Sequence, residues 1–157
     1  MGTASVDDYV RLFRRKAEQM GEFPDKIIIS ALTGTASRHR NDMSQHIVAL
    51  LESMISDPTH PAKHKLPLCY LVDSIIKNVT DPYADLFEPG LAGWFCAAYD
   101  VVDATSKKHL ARLVATWEVQ SVFSPEKRKE LQRYMLTGRQ EQVAPSSTTT
   151  TAPAAVA

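Results

Sequence analysis

The stretch from Lys65 to Val79 constrains the fold more than any other. Leu68, Leu71, Val72, Ile75, Ile76 and Val79 recur at i, i+3, i+4, i+7, i+8 and i+11. That is the spacing of a helix face buried against other helices. Tyr70, Asp73, Ser74 and Lys77 fall at i, i+3, i+4 and i+7 and line a second face of the same helix. Pro67 fits the first turn, where a missing N–H costs little.

The rest of the chain repeats this helical period, and no alternating strand pattern competes with it. Ser5 followed by Asp8 predicts an N-cap, after which Val6, Tyr9, Phe13, Ala17 and Met20 form a stripe that Gly21 closes. Phe23-Pro24-Asp25 predicts a turn into a second helix. Its residues Ile27, Ile28, Ile29, Ala31, Leu32 and Thr35 are apolar nearly all round at the start, which predicts deep burial. Gly34 weakens that helix by about 1 kcal/mol relative to Ala, and a close helix–helix contact is one reason for it. Asn41 is expected to cap a third helix with Met43, Ile47, Leu50, Leu51, Met54 and Ile55 inward. The polar segment from Pro58 to Lys65 reads as a surface loop. Asp81-Pro82 predicts an N-cap with Pro at the first helical position. Leu91, Trp94, Phe95, Ala98, Tyr99 and Val102 make a further stripe, with both large rings in the core. Asp103 caps a helix that turns Leu110, Leu113, Val114 and Trp117 inward, and Ser124-Pro125 opens a last one ending at Gly138. From residue 139 the chain turns small, polar and Pro-bearing, so 139–157 is expected to be a disordered tail behind one domain spanning 1–138. The fold class is all-α.

Composition narrows the function. Lys+Arg and Asp+Glu both number 18, which argues against holding bare nucleic acid through the overall field. Cys69 and Cys96 sit in apolar helical stretches, without CxxC or zinc-finger spacing, which predicts reduced thiols inside a cell. No apolar run approaches the ~20 residues of a membrane span. His60 and His64 are i, i+4 but lie in the Pro-bearing connector, and no HExxH or acidic cluster completes a metal site. With no GxSxG and no Gly-rich phosphate loop, nothing predicts an enzyme, a metal or a cofactor.

The second face of the Lys65–Val79 helix leaves two readings. One is a solvated strip with an Asp73–Lys77 pair worth only ~0.3–0.5 kcal/mol. The other is a peptide-binding strip with Asp73 accepting a ligand hydrogen bond. The wording of residues 65–79, with Tyr83 and Phe87 beyond, resembles the CTD-interacting domain of the large pre-mRNA 3′-end cleavage and termination factor. The resemblance is close over about fifteen residues and looser to Phe123. It implies a right-handed superhelix of about eight helices, as in VHS and ENTH domains, and no catalysis.

It also implies a ligand: the heptad tail Tyr-Ser-Pro-Thr-Ser-Pro-Ser of the largest RNA polymerase II subunit, phosphorylated on serine. The family's D-S-I aspartate corresponds to Asp73. An arginine five residues before the helix tryptophan, which grips phosphate in some members, corresponds to Arg112, five before Trp117. Lys26, at the loop into the second helix, corresponds weakly to a residue that helps hold the ligand. Ile29, Tyr70, Leu113 and Thr116 are expected to wall a slot for the ligand's rings, with Ser74 and Lys77 beside them. The implied role is nuclear, coupling transcription to 3′-end cleavage, polyadenylation and termination, with other cleavage factors as further partners and a weak RNA contact through Lys107 and Lys108. A membrane-traffic adaptor of the VHS/ENTH type is the alternative. The near-neutral charge and the lack of a basic amphipathic N-terminal helix argue against lipid binding.

Overall fold

The computed structural model describes residues 5–138, so the expected disordered tail at 139–157 lies outside the described residues. The helices are α1 (Val6–Glu18), α2 (Lys26–Arg38), α3 (Ser44–Ser56), α4 (Lys65–Asn78), α5 (Tyr83–Phe87), α6 (Leu91–Val101), α7 (Ala104–Val119) and α8 (Pro125–Thr137). A single 3₁₀ turn, Ala62–His64, leads into α4. There is no strand among the described residues.

Side-chain caps set the starts of four of the eight described helices. Ser5 and Asp8 bond reciprocally, each side chain taking the other's backbone N–H at 3.2 Å. Asp25 accepts from the N–H groups of Ile27 and Ile28, Asp103 from Ser106, and Ser124 from Lys127. Gly138 ends α8 at φ +73°, a backbone conformation that favours glycine.

Packing then builds the superhelix. α2 lies on α1 and α4, α3 on α1, α4, α5 and α6, α7 on α4, and α8 on α6 and α7. Each helix meets neighbours one to three places away in sequence. The core runs through Leu51, Ile55, Leu68, Leu71, Ile75, Phe87, Phe95 and Trp117, all essentially without solvent exposure. Trp94 and Phe95 are core, as expected. Tyr83 is buried too, and its hydroxyl donates to the Ala36 carbonyl at 2.8 Å.

Five local expectations are corrected. Asn41 caps nothing: residues 40–43 keep turning, with Met43 N–H on His39 O at 2.8 Å, and α3 starts at Ser44 without a side-chain cap. Pro82, not Asp81, holds the cap position of α5, so Tyr83 is its first residue. The start of α2 is not deeply buried: Ile27 is 81% exposed and Ile28 and Ile29 are half-buried. Only Leu32, Thr33 and Ala36 of α2 are sealed, because the helix packs on α4 through its second half and its first turn overhangs. A Cβ on Gly34 would meet only Arg38, at 3.5 Å, so close helix packing does not account for that glycine. Lys65 is not a loop residue but a buried one, 2% exposed. Its ammonium donates to Met54 O at 2.8 Å and Asp57 O at 2.6 Å, satisfying carbonyls that the end of α3 leaves unpaired.

The connector before α4 holds a pH-sensitive histidine, His60. The His60 and His64 rings meet edge to face at 5.3 Å, and His60 Nε2 and His64 Nδ1 are buried without hydrogen-bond partners. Burial, then the charges of Lys65 and His64, push His60 below its ordinary pKa. The unfolded chain therefore takes up a proton near the ordinary histidine value of ~6.5 that the folded chain resists. Stability is expected to fall as pH drops through that range. The fall should be shallower in His60→Asn, read as urea midpoints from pH 7.5 to 5.5; equal slopes would contradict this account.

Candidate functional site

The second face of α4 is held between α2 and α7. On the α2 side, the Ser74 and Thr33 hydroxyls share a hydrogen bond at 2.8 Å. Asn78 Nδ2 donates to the Ser74 carbonyl at 2.9 Å and to its hydroxyl at 3.2 Å. Lys26, Ile29 and Thr33 are i, i+3 and i+7, so one strip of α2 runs up to this junction. Ile29 is half-buried there, while Lys26 is exposed at the first position of α2 and bonds to none of the strip residues.

On the α7 side, Asp73 is the centre. Its Oδ1 accepts from the buried Trp117 indole N–H at 2.8 Å and pairs with Lys77 at 3.0 Å. Lys77 also donates to the Thr116 hydroxyl at 3.3 Å, and Thr116 donates to the Leu113 carbonyl at 2.7 Å. The Asp73 side chain keeps 13% of its surface in solvent. Both of its bonds fall on one oxygen, so among the described residues Oδ2 stays available to an incoming donor.

Tyr70 stands one turn before Asp73, half-buried. Burial pushes its hydroxyl pKa up, the Arg112 charge pulls it back down, and the Asp73 charge raises it further. Tyr70 thus has a guanidinium and a carboxylate for neighbours. Arg112 is exposed and has no acidic partner among the described residues. A planar cation without an acidic partner can grip a phosphate with two charge-assisted bonds.

The far end of the strip has the opposite sign. Beyond Lys77, a cavity of about 630 Å³ between α4, α5 and the α7–α8 turn is walled by Asp81, Asp85 and Glu88.

The structure therefore brings together Tyr70, Asp73, Lys77, Arg112, Leu113 and Thr116, ties Ser74 to α2, and leaves Ile29 and Lys26 progressively farther out. Leu113 is buried and offers mainly its backbone carbonyl and an edge of the wall. The Asp73–Lys77 pair of the first reading is present, and the Asp73 side chain keeps part of its surface in solvent. Sequence reasoning missed Thr33 and the clamp role of Trp117. The signal for Trp117 was chemical: a buried indole N–H needs an acceptor, and an acid at helical spacing on the facing element supplies one.

That clamp changes what Asp73 variants do. On the sequence alone, Asp73→Ala is expected to leave stability nearly unchanged. With the indole N–H and Lys77 stranded, the loss should instead be about 1–3 kcal/mol. Asp73→Asn keeps an acceptor for Trp117 and should lose less, while presenting an amide to the trough. Urea denaturation of both variants checks this, and equal stability of Asp73→Ala and wild type would refute the clamp.

Among the described residues no group of three or more His, Cys, Asp or Glu could hold a metal, and no helix is long and apolar enough to cross a membrane. Cys69 and Cys96 are buried, and burial pushes both thiols up to about 12.

The CID domain family model matches residues 11–131. A Schizosaccharomyces pombe protein, C4G9.04c, is 35% identical over 126 residues, which is 75% of this chain and 19% of that protein. Saccharomyces cerevisiae protein PCF11 is 34% identical over 95 residues, 60% of this chain and 15% of that protein. The chain thus spans less than a fifth of the length of either relative. A crystal structure of the RPR of Pcf11 superposes with a TM-score of 0.74 at 26% identity, covering 81% of this chain and 98% of that one. It has the same helical superhelix.

Proposed function

The chain belongs to the CID family, and on that premise we propose that it reads the serine-phosphorylated heptad tail of RNA polymerase II and couples transcription to mRNA 3′-end cleavage, polyadenylation and termination. The CID domain is a protein-interaction module rather than an enzyme family. The observation that carries the reading is Arg112, exposed and without an acidic partner among the described residues, on the same helix whose Trp117 is bonded to the partly exposed Asp73. In this reading Asp73 Oδ2 accepts from a ligand N–H or hydroxyl. Arg112 grips the phosphate, Tyr70, Ile29, Leu113 and Thr116 wall the slot, and Ser74 and Lys77 hold its floor. Lys26 adds charge at the rim.

A ligand of some ten residues must be ordered on binding, so one site is weak. A repeated tail offsets this by raising effective concentration. The place of action is the nucleus, with other cleavage and polyadenylation factors reached through the tail or through parts of a longer protein. Direct RNA contact through Lys107 and Lys108 has less support. Lys107 is already occupied, donating to Val102 O at 3.2 Å and lying over the Tyr99 ring at 5.3 Å.

The test is a titration with two heptad peptides that differ only in serine phosphate. Tighter binding of the phosphorylated peptide is expected. Equal affinity for the two, or none for either, would reject the phosphate reading.

A further inference from the structure

The outer face of α2 is turned away from the peptide strip. At about 100° per residue, Lys26, Ile29 and Thr33 point to one side of the helix and Ile27, Ala31 and Arg38 to nearly the opposite one. The outer face packs along α1 and leaves a groove of about 260 Å³ between the two helices. Tyr9, near the start of α1, meets the ring of His39, just past the end of α2, at 5.0 Å, so the helices run in opposite directions. Leu12 and Ala31 line the groove, with the buried Phe13 and Leu32 beneath them. Leu12 is 56% exposed, and Ile27, one turn before Ala31 on the same face, is 81% exposed.

The rim of this groove is basic. Lys16 and Arg38 stand on it, and no carboxylate is among its lining residues. The neighbouring acids are engaged elsewhere: Asp8 takes the Ser5 N–H and pairs with Arg11, each at 3.2 Å, and Asp42 pairs with His39 at 3.4 Å. Lys16 forms no hydrogen bond or ion pair among the described residues, and Arg38 donates to the Thr35 hydroxyl at 3.1 Å without meeting an acid. Arg38 lies level with Tyr9, and Lys16 is seven residues farther along α1, so the two cations stand roughly 10 Å apart along the groove. Exposed apolar groups between two unanswered cations suit a ligand that brings both apolar side chains and carboxylates. A nucleic-acid backbone would use the cations but leave Leu12 and Ile27 in water. Residues 139–157 carry a single acidic side chain, Glu141, and do not match that chemistry.

We propose that the α1–α2 groove docks an acidic amphipathic helix of a partner protein. Carboxylates about seven residues apart on such a helix span two turns, ~10.5 Å, and meet Lys16 and Arg38. Apolar side chains on the turn between them cover Leu12 and Ala31, and Ile27 extends the contact beyond Lys16. Docking there is independent of the peptide strip. Because the groove and the strip use opposite sides of α2, one chain can hold a tail peptide and this partner at the same time.

Random peptides of about 16 residues, four to five helical turns, displayed on phage and selected on the intact chain test this. Counter-selection on the double variant Lys16→Glu/Arg38→Glu removes peptides held by the strip. Both cations are exposed and hold at most one hydroxyl, so the double variant keeps the fold. The recovered peptides are expected to carry Glu or Asp about seven residues apart with Leu, Phe or Met between them. In fluorescence anisotropy they should bind the wild type about tenfold or more tighter than the double variant. Glu→Gln in the peptide, with the protein untouched, or Leu12→Ser in the protein should each weaken binding about three- to tenfold. No enrichment over the double variant, or enrichment of sequences without carboxylates, overturns the proposal. So does a dimer of the chain that Leu12→Ser abolishes in sedimentation velocity, since the occupant is then a second copy. Single-stranded RNA that binds the wild type and not the double variant, with no peptide recovered, overturns it as well.

Discussion

Arg112→Ala weakens binding of a serine-phosphorylated heptad peptide by about 10- to 100-fold, the equivalent of the ~1.5–3 kcal/mol that a hydrogen bond to a charged group contributes. The expected result follows from what Arg112 does not do in the free protein. It is exposed and forms no ion pair among the described residues, so its removal takes nothing from the fold. Its loss is felt only by a ligand that brings an anion. Arg112→Lys keeps the charge but loses the planar two-donor fork, and should recover only part of the affinity. For the unphosphorylated peptide the effect of Arg112→Ala should shrink to about threefold or less. Because the site faces solvent, raising salt should narrow the gap between the two peptides in the wild type. Fluorescence anisotropy with labelled peptides measures all of this. Identical losses for both peptides would assign Arg112 to general packing of the slot instead of to phosphate.

The second large effect concerns stability and lies away from the site. Lys65→Met should destabilise the protein by about 2–4 kcal/mol, because two carbonyls at the end of α3 lose a charged donor. The estimate sits below the sum of two charged hydrogen bonds because burying an ammonium is itself costly. Burial holds Lys65 below its ordinary pKa, and the Asp57 charge opposes that shift. The side chain ties the end of α3 to the start of α4, the helix that carries Tyr70 and Asp73. Its loss should therefore weaken peptide binding only through unfolding, with affinity recovered at low temperature. Urea denaturation gives the stability, and a change below about 1 kcal/mol would mean that the carbonyls find other donors.

In the proposed reading, Asp73 and Trp117 join a binding face to a packing face on α4. The carboxylate needs a fixed orientation to present one oxygen outward, and the indole N–H and Lys77 fix the other. Anchoring a ligand group by a partly buried bond of this kind preorganises the site, at the cost of making its variants less stable. A loss of binding in Asp73→Ala is interpretable only beside its stability and that of Asp73→Asn.

Much of the fold is legible in the amino-acid order because helices are local objects. The stripe in α4, the reciprocal Ser5–Asp8 cap, the caps at Asp25, Asp103 and Ser124 and the glycine stop at Gly138 all depend on residues three or four apart. So does the grouping of Tyr70, Asp73, Ser74 and Lys77 on one face. The neighbourhood of Arg112 with Tyr70 was legible only through family resemblance, since the two residues are on different helices.

What the tertiary structure alone decided is which faces stay open and which polar groups meet across helices. The overhang of α2 leaves Ile27 in solvent despite a run of isoleucines that reads as core. The crossing of α4 and α7 turns Trp117 toward Asp73, and the descent from α3 carries the Lys65 ammonium onto the carbonyls of Met54 and Asp57. None of these is a three- or four-residue relation. Each depends on the angle and offset at which separate helices pack, which is set by the whole core at once.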